Sequence, residues 1–153
     1  MNVMASIDPI RAIPSSLGLK AVVAMSPENF AYVTGAFILT VKQIRPRQAY
    51  AVLAAGADPF IVVCSIEETL TKDESWIPSV HTYTEFADDP IDSLVKAMKA
   101  AGLTSGKMGI DLDYLPVSSF QKLTAQLPDV EWVNTTEEIA AVRAIKNGSE
   151  VAL

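Results

Sequence analysis

The sequence predicts an α/β fold: three layers, with a mixed central sheet covered by helices on both faces. Three observations carry this. Apolar runs of strand length, at 19–25, 49–54 and 60–64, crowd the first half of the chain. The second and third of these flank Gly56-Ala57-Asp58-Pro59, a turn composition that closes a hairpin. Beyond residue 90, helix-period and strand-like segments alternate, which favours strands covered by helices.

The elements follow in chain order. Residues 8–17 predict one short helix, made irregular by Pro14. Residues 19–25 form a buried strand. Ser26-Pro27-Glu28 opens a helix, with Ser26 at the N-cap and Pro27 in the first turn, and Thr34-Gly35 closes it. Residues 35–48 show no clean period. After the hairpin, 66–70 predicts a helical turn and 80–83 a short strand. Ile91, Leu94, Val95 and Met98 recur at helical spacing, and Gly102 ends that helix. Residues 107–111 form a strand. Val117, Phe120, Leu123 and Leu127 make a second apolar stripe, closed by Pro128. Residues 130–133 form a strand, and Thr136 with Glu137 and Glu138 opens a last full helix carrying Ile139, Val142 and Ile145. Gly148 fits the C-cap of that helix after Arg143 and Lys146, and Ser149-Glu150 reads as the start of another. A chain that opens an element and stops at Leu153 is expected to be a piece of a longer protein.

Composition narrows the functional classes. A chain of 153 residues, half hydrophobic and 20% charged, is enough for one domain with a real core. Its net charge of -6 and its lack of a basic track argue against nucleic acid and anionic membranes as partners. No apolar run reaches the roughly 20 residues that span a bilayer. The start of the chain lacks the charged and apolar regions of a signal peptide. The single cysteine, Cys64, excludes a disulfide framework within the chain and favours a cytoplasmic location. Cys64 itself reads as a small apolar residue at a strand end.

Few residues carry an obvious chemistry. One histidine, His81, cannot build a His-rich metal site, and it reads as a partly exposed structural residue. Phosphate-binding glycine loops and the nucleophile elbow are absent. Asp111 and Asp113 follow a strand and, in extended chain, would point the same way, as an acid/base or metal pair would require. Capping a turn is the stronger explanation for them. Glu67-Glu68 and Asp88-Asp89 read as solvated helix-start charges, and Trp76 and Trp132 as packing residues. The segment 35–47 is the least explained. It joins Gly35 and Phe37 to an apolar run and to Arg45 and Arg47, whose guanidinium forks suit carboxylates. An ordinary surface loop and a functional one both remain open here.

The order of segments resembles one known family. Ser26-Pro27-Glu28-Asn29-Phe30-Ala31-Tyr32-Val33-Thr34-Gly35 is similar to the signature of the creatinase/prolidase amino-terminal domain. Residues 47–53 and 56–63 with Glu67, then Trp76, Val80 and Tyr83, then Met108-Gly109-Ile110-Asp111, follow the same order. Leu127-Pro128 and the segment 138–146 resemble its closing region, and Lys146 to Glu150 its junction with a second domain.

The resemblance implies a ribonuclease-H-like α/β arrangement over 1–147, with 148–153 as the start of a carboxy-terminal catalytic domain. It implies a non-catalytic domain of a metal-dependent Xaa-Pro peptidase (a prolidase or aminopeptidase P) or of a creatinase-like hydrolase. The divalent metals, Mn, Co or Zn, would sit in that other domain, with no catalytic or metal residue here. The expected partners are that catalytic domain, a second copy in a homodimer, and a peptide or small-molecule substrate. The loop after Gly35 would reach a partner's active site, which implicates Phe37, Arg45 and Arg47 in substrate access. Ala36 and the run Ile38-Leu39-Thr40-Val41 depart from the family pattern and would suit an apolar substrate or a buried subunit contact. A lid of this kind is expected to have few partners within the chain. Replacing Arg45 and Arg47 with Ala should then barely change stability, since exposed charges typically contribute within about 0.5 kcal/mol. A stand-alone binding or dimerisation module is the alternative.

Overall fold

The computed structural model describes residues 7–44 and 46–146. Six strands form one sheet: β1 (Ala21–Ala24), β2 (Tyr50–Ala54), β3 (Phe60–Cys64), β4 (Val80–Tyr83), β5 (Ser105–Ile110) and β6 (Asp129–Asn134), in the order β4-β3-β2-β1-β5-β6. β2 runs antiparallel to both of its neighbours, and the remaining pairs are parallel. This is the predicted mixed sheet. The apolar runs become β1, β2 and β3 because these inner strands are buried on both faces and need no polar alternation.

Alternate residues of the strands feed two cores. Val23, Val52 and Val62 face α6 (Pro90–Ala100) and α7 (Val117–Gln126), meeting Ile91, Leu94, Met98 and Leu123. Val22, Ala51 and Ile61 face the other side, where α1 (Ile7–Arg11), α2 (Ile13–Ser16), α3 (Pro27–Thr34) and α8 (Thr136–Ala144) supply Ile10, Ile13, Phe30, Val33 and Ile139. The chain thus has helices on both faces, as the sequence predicted.

Local chemistry sets the ends of the elements. The Ser26 hydroxyl accepts from the Asn29 N–H at 3.3 Å, and Gly35 takes the left-handed φ of 81° that closes α3. Asp89 caps α6 by accepting from the Ile91 N–H at 2.8 Å.

Several expectations need correction. The first helix is two pieces, α1 and α2, broken at Ala12 because Pro14 has no N–H to continue the ladder. The turn at 66–70 is a 3-10 turn at Ser65–Glu67 running into α5 (Glu68–Glu74), and 35–48 contains the short helix α4 (Thr40–Gln43). Val117 opens α7 on its solvent side and is 73% exposed, so the buried part of that stripe begins further along. The last helix ends at Ala144, where Ile145 turns to extended backbone and lies exposed, so Ile145 does not serve the helix as predicted. Gly148, the helix start at Ser149-Glu150 and the boundary at 147/148 lie outside the described residues.

Candidate functional site

In a parallel sheet the loops that follow the strands gather at one edge, and ligands of open α/β folds sit there. Here β1, β3, β4, β5 and β6 all end at that edge, where β2 begins. Arg47 precedes β2, Glu67 follows β3 and Glu85 follows β4. Because β4, β3 and β2 are neighbours, the three side chains converge.

Arg47 is the hub. Its Nε and Nη2 donate to the two carboxylate oxygens of Glu85, each at 2.8 Å, and its Nη1 donates to Glu67 Oε1 at 3.3 Å. The side chains are only 10%, 13% and 18% exposed for Arg47, Glu67 and Glu85. The bidentate bond holds the guanidinium above its ordinary pKa and lowers that of the Glu85 carboxyl. Two expectations fall here. Glu67 is not a solvated helix-start charge, and Arg47 is not an exposed one.

The segment 35–48 is also tied down along its length, against the expectation of few partners. Ile38 and Val41 are buried. The Phe37 N–H donates to Glu74 Oε2 at 3.1 Å, the Thr40 hydroxyl to Glu67, and Tyr114 Oη to the Val41 carbonyl at 3.4 Å. Lys42 pairs with Glu28 at 2.6 Å, and that hydrogen bond lowers the Glu28 pKa. Tyr83 Oη accepts from the Gln48 N–H at 2.9 Å and donates to the Gln48 carbonyl at 2.7 Å. Burial pushes the Tyr83 phenol up to about 12. The apolar run that departs from the family pattern thus packs inward at Ile38 and Val41, while Phe37 and Leu39 remain about half exposed. Arg45 lies outside the described residues.

Asp111 and Asp113 do not form a pair. The chain turns after β5, so Asp111 is fully buried and Asp113 is exposed. Asp111 Oδ2 accepts from the N–H groups of Met25 and Ser26 at 2.9 and 2.7 Å, and its Oδ1 accepts from Asn29 Nδ2 at 3.1 Å. It ties the start of α3 to β5. Among the described residues no three His, Cys, Asp or Glu side chains gather as a metal site. None of the described helices is long and apolar enough to cross a membrane. His81 stacks edge-on against Phe60, with ring centroids 5.6 Å apart. Trp76 Nε1 donates to the Val33 carbonyl at 2.8 Å, and Arg11 lies 5.0 Å from its ring.

The domain is thus a mixed α/β sheet with a polar hub at its loop edge. The sequence model of the Creatinase/Prolidase N-terminal domain matches residues 7–145, and the chain belongs to that family. Comparison with curated proteins gives no match. Among solved structures, a proline dipeptidase from Streptococcus pneumoniae TIGR4 superposes with a TM-score of 0.77 at 21% identity, over 94% of this chain and 100% of that one. The N-terminal domain of an Xaa-Pro dipeptidase from Lactobacillus brevis gives 0.76 at 19% identity, over 90% and 99%. A dipeptidase from Pyrococcus horikoshii OT3 gives 0.76 at 18% identity and covers 95% of this chain, which spans only 38% of the Pyrococcus chain. At such identities these likenesses establish the fold.

Proposed function

We propose that this chain is the non-catalytic N-terminal domain of a metal-dependent Xaa-Pro peptidase, prolidase- or aminopeptidase-P-like, or of a creatinase-like hydrolase. It contributes to dimerisation and to substrate access in a cytoplasmic enzyme. The observation that carries the proposal is the family match over 7–145. The half-exposed Phe37 on a docked loop supports the access role. In this proposal the divalent metal, Mn, Co or Zn, belongs to a separate catalytic domain.

The test is to express the full reading frame and screen Xaa-Pro dipeptides, longer Xaa-Pro peptides and creatine with each metal. The long protein should hydrolyse one of these substrate classes, and the 153-residue chain none. In the active protein, Phe37→Ala should lower kcat/KM while the fold is retained, because a group that positions substrate is lost. Cleavage by the 153-residue chain alone would overturn the accessory role. A reading frame that closes at Leu153 would leave a stand-alone binding or dimerisation module.

A further inference from the structure

β4 is an edge strand whose outer side has no strand partner among the described residues. The Ile61 N–H donates to the Ser79 carbonyl at 2.8 Å, and Ile61 is in register with Val80. In a parallel ladder, alternate residues turn both backbone groups toward the neighbour and the others turn them away. His81 therefore serves β3, while Val80 and Thr82 present their N–H and C=O groups outward. Edges are usually blunted by proline, lysine, a bulge or a covering element. The β4 segment Val80-His81-Thr82-Tyr83 carries no proline or lysine, and His81 and Thr82 are exposed.

Two further features lie beside this edge. A groove of about 560 Å³ separates it from α6, lined by His81, Thr82, Asp88, Asp89, Asp92 and Lys96 among others. At its far end the turn after β4 is closed by the Ala87 and Asp88 N–H groups on the Thr84 carbonyl, and by Asp88 Oδ2 on the Thr84 N–H. That turn holds Phe86 at φ 63°, a left-handed conformation that bulky residues rarely adopt, with its side chain 85% exposed. The ring adds nothing to either core, so the strain is kept for a residue that faces solvent.

We infer that the free edge of β4 accepts an extended basic segment of a partner chain as an added strand, with Phe86 as its anchor. The open backbone supplies hydrogen bonds and the groove receives alternate side chains. The charge balance selects the occupant. Three aspartates line the groove against Lys96 and against Lys122, which pairs with Asp89; Asp92 accepts from Gln126. A second copy laid on the same edge would bring its own aspartates and another net charge of -6. A lysine-bearing strand reverses that repulsion.

The test uses the 15N-labelled chain and the peptide acetyl-(Lys-Val)3-amide. Saturating peptide should slow amide exchange at Val80 and Thr82 by about tenfold or more. Two N-methylated versions, one blocked at every lysine amide and one at every valine amide, separate strand pairing from charge attraction. Only one of the two should lose binding, because only one set of N–H groups faces the edge. Phe86→Ala should weaken binding by about fivefold or more without loss of fold. Acetyl-(Glu-Val)3-amide should bind more weakly. Unchanged exchange at Val80 and Thr82, full binding by both methylated peptides, equal binding of the acidic peptide, no effect of Phe86→Ala, or dimerisation through β4 without peptide would each overturn the proposal.

Discussion

Gly109 sits mid-strand in the Met108-Gly109-Ile110-Asp111 motif, and its φ is not left-handed. Space, not backbone freedom, explains it. A Cβ at Gly109 would lie 2.3 Å from Thr135 Cγ2, 2.7 Å from Thr135 Oγ1 and 3.1 Å from Thr135 Cβ. Thr135 cannot retreat: its N–H donates to the Ile110 carbonyl at 3.1 Å, and its carbonyl accepts from the Ile139 N–H at 3.1 Å. Rotating the side chain swings Cγ2 and Oγ1 away in turn but leaves Cβ where it is. Gly109→Ala should therefore overpack the β5–α8 contact and cost about 2–3 kcal/mol. Thr135→Ala alone should be within about 1 kcal/mol of neutral. It loses a buried methyl, but it also removes a buried hydroxyl that has no hydrogen-bond partner. Combined, the two changes should be about 2 kcal/mol more stable than the sum of the single effects, since the 2.3 and 2.7 Å clashes vanish together. Urea unfolding followed by tryptophan fluorescence measures all three, with constant m-values confirming a common unfolded state. A neutral Gly109→Ala, or a cost that Thr135→Ala does not relieve, would refute the reasoning.

Three further outcomes can be checked by the same unfolding assay. Asp111→Ala strands the Met25, Ser26 and Asn29 donors and should cost about 3 kcal/mol or more; Asp111→Asn should cost less, because Asn29 can turn its unpartnered Oδ1 toward the new amide. Burial raises the Tyr83 pKa to about 12, from an ordinary value of about 10, so its neutral form stabilises the fold. That contribution is complete below about pH 10 and is lost as pH rises toward 12; Tyr83→Phe should flatten the alkaline fall in stability. Phe86→Gly should raise stability by about 0.5–1 kcal/mol, because relief of the left-handed φ outweighs the added freedom of the unfolded chain; a loss would show that the Phe86 ring packs in solution.

What the sequence revealed follows from how far apart the interacting residues lie. The hairpin, the Ser26 cap and the Gly35 stop are local, and each was legible from a few neighbouring residues. The two helices covering one face showed themselves through repeated apolar residues such as Leu94, Met98 and Leu123. α5 was read too short because only Thr71 in it is buried, so it has no apolar stripe to find. The hub was hidden for another reason. Arg47 meets Glu67 and Glu85 across separations of 20 and 38 residues, and only the order of the strands brings them together. A sequence signal did exist: one cation just before an inner strand and one carboxylate just after each of two others. It has meaning only once those strands are known to be adjacent.

The geometry of the hub also divides the roles proposed for the loop 35–48. Arg47 already spends both edges of its fork on Glu85 and Glu67, so gripping a substrate carboxylate would require breaking those bonds. Phe37 needs no such rearrangement, since half of it already faces solvent. Arg47 is accordingly a positioning residue that fixes the end of the loop, and Phe37 is the residue that reaches outward. Arg47→Lys separates the two possibilities. Lysine keeps the charge but loses the bidentate fork. If Arg47 positions the loop, the variant should lower the melting temperature of the 153-residue chain, more than an exposed charge would, and in a full-length enzyme any fall in kcat/KM should follow that loss of stability. A variant whose melting temperature is unchanged while KM rises would instead mean that Arg47 leaves Glu85 to hold substrate, and the division of roles would fail.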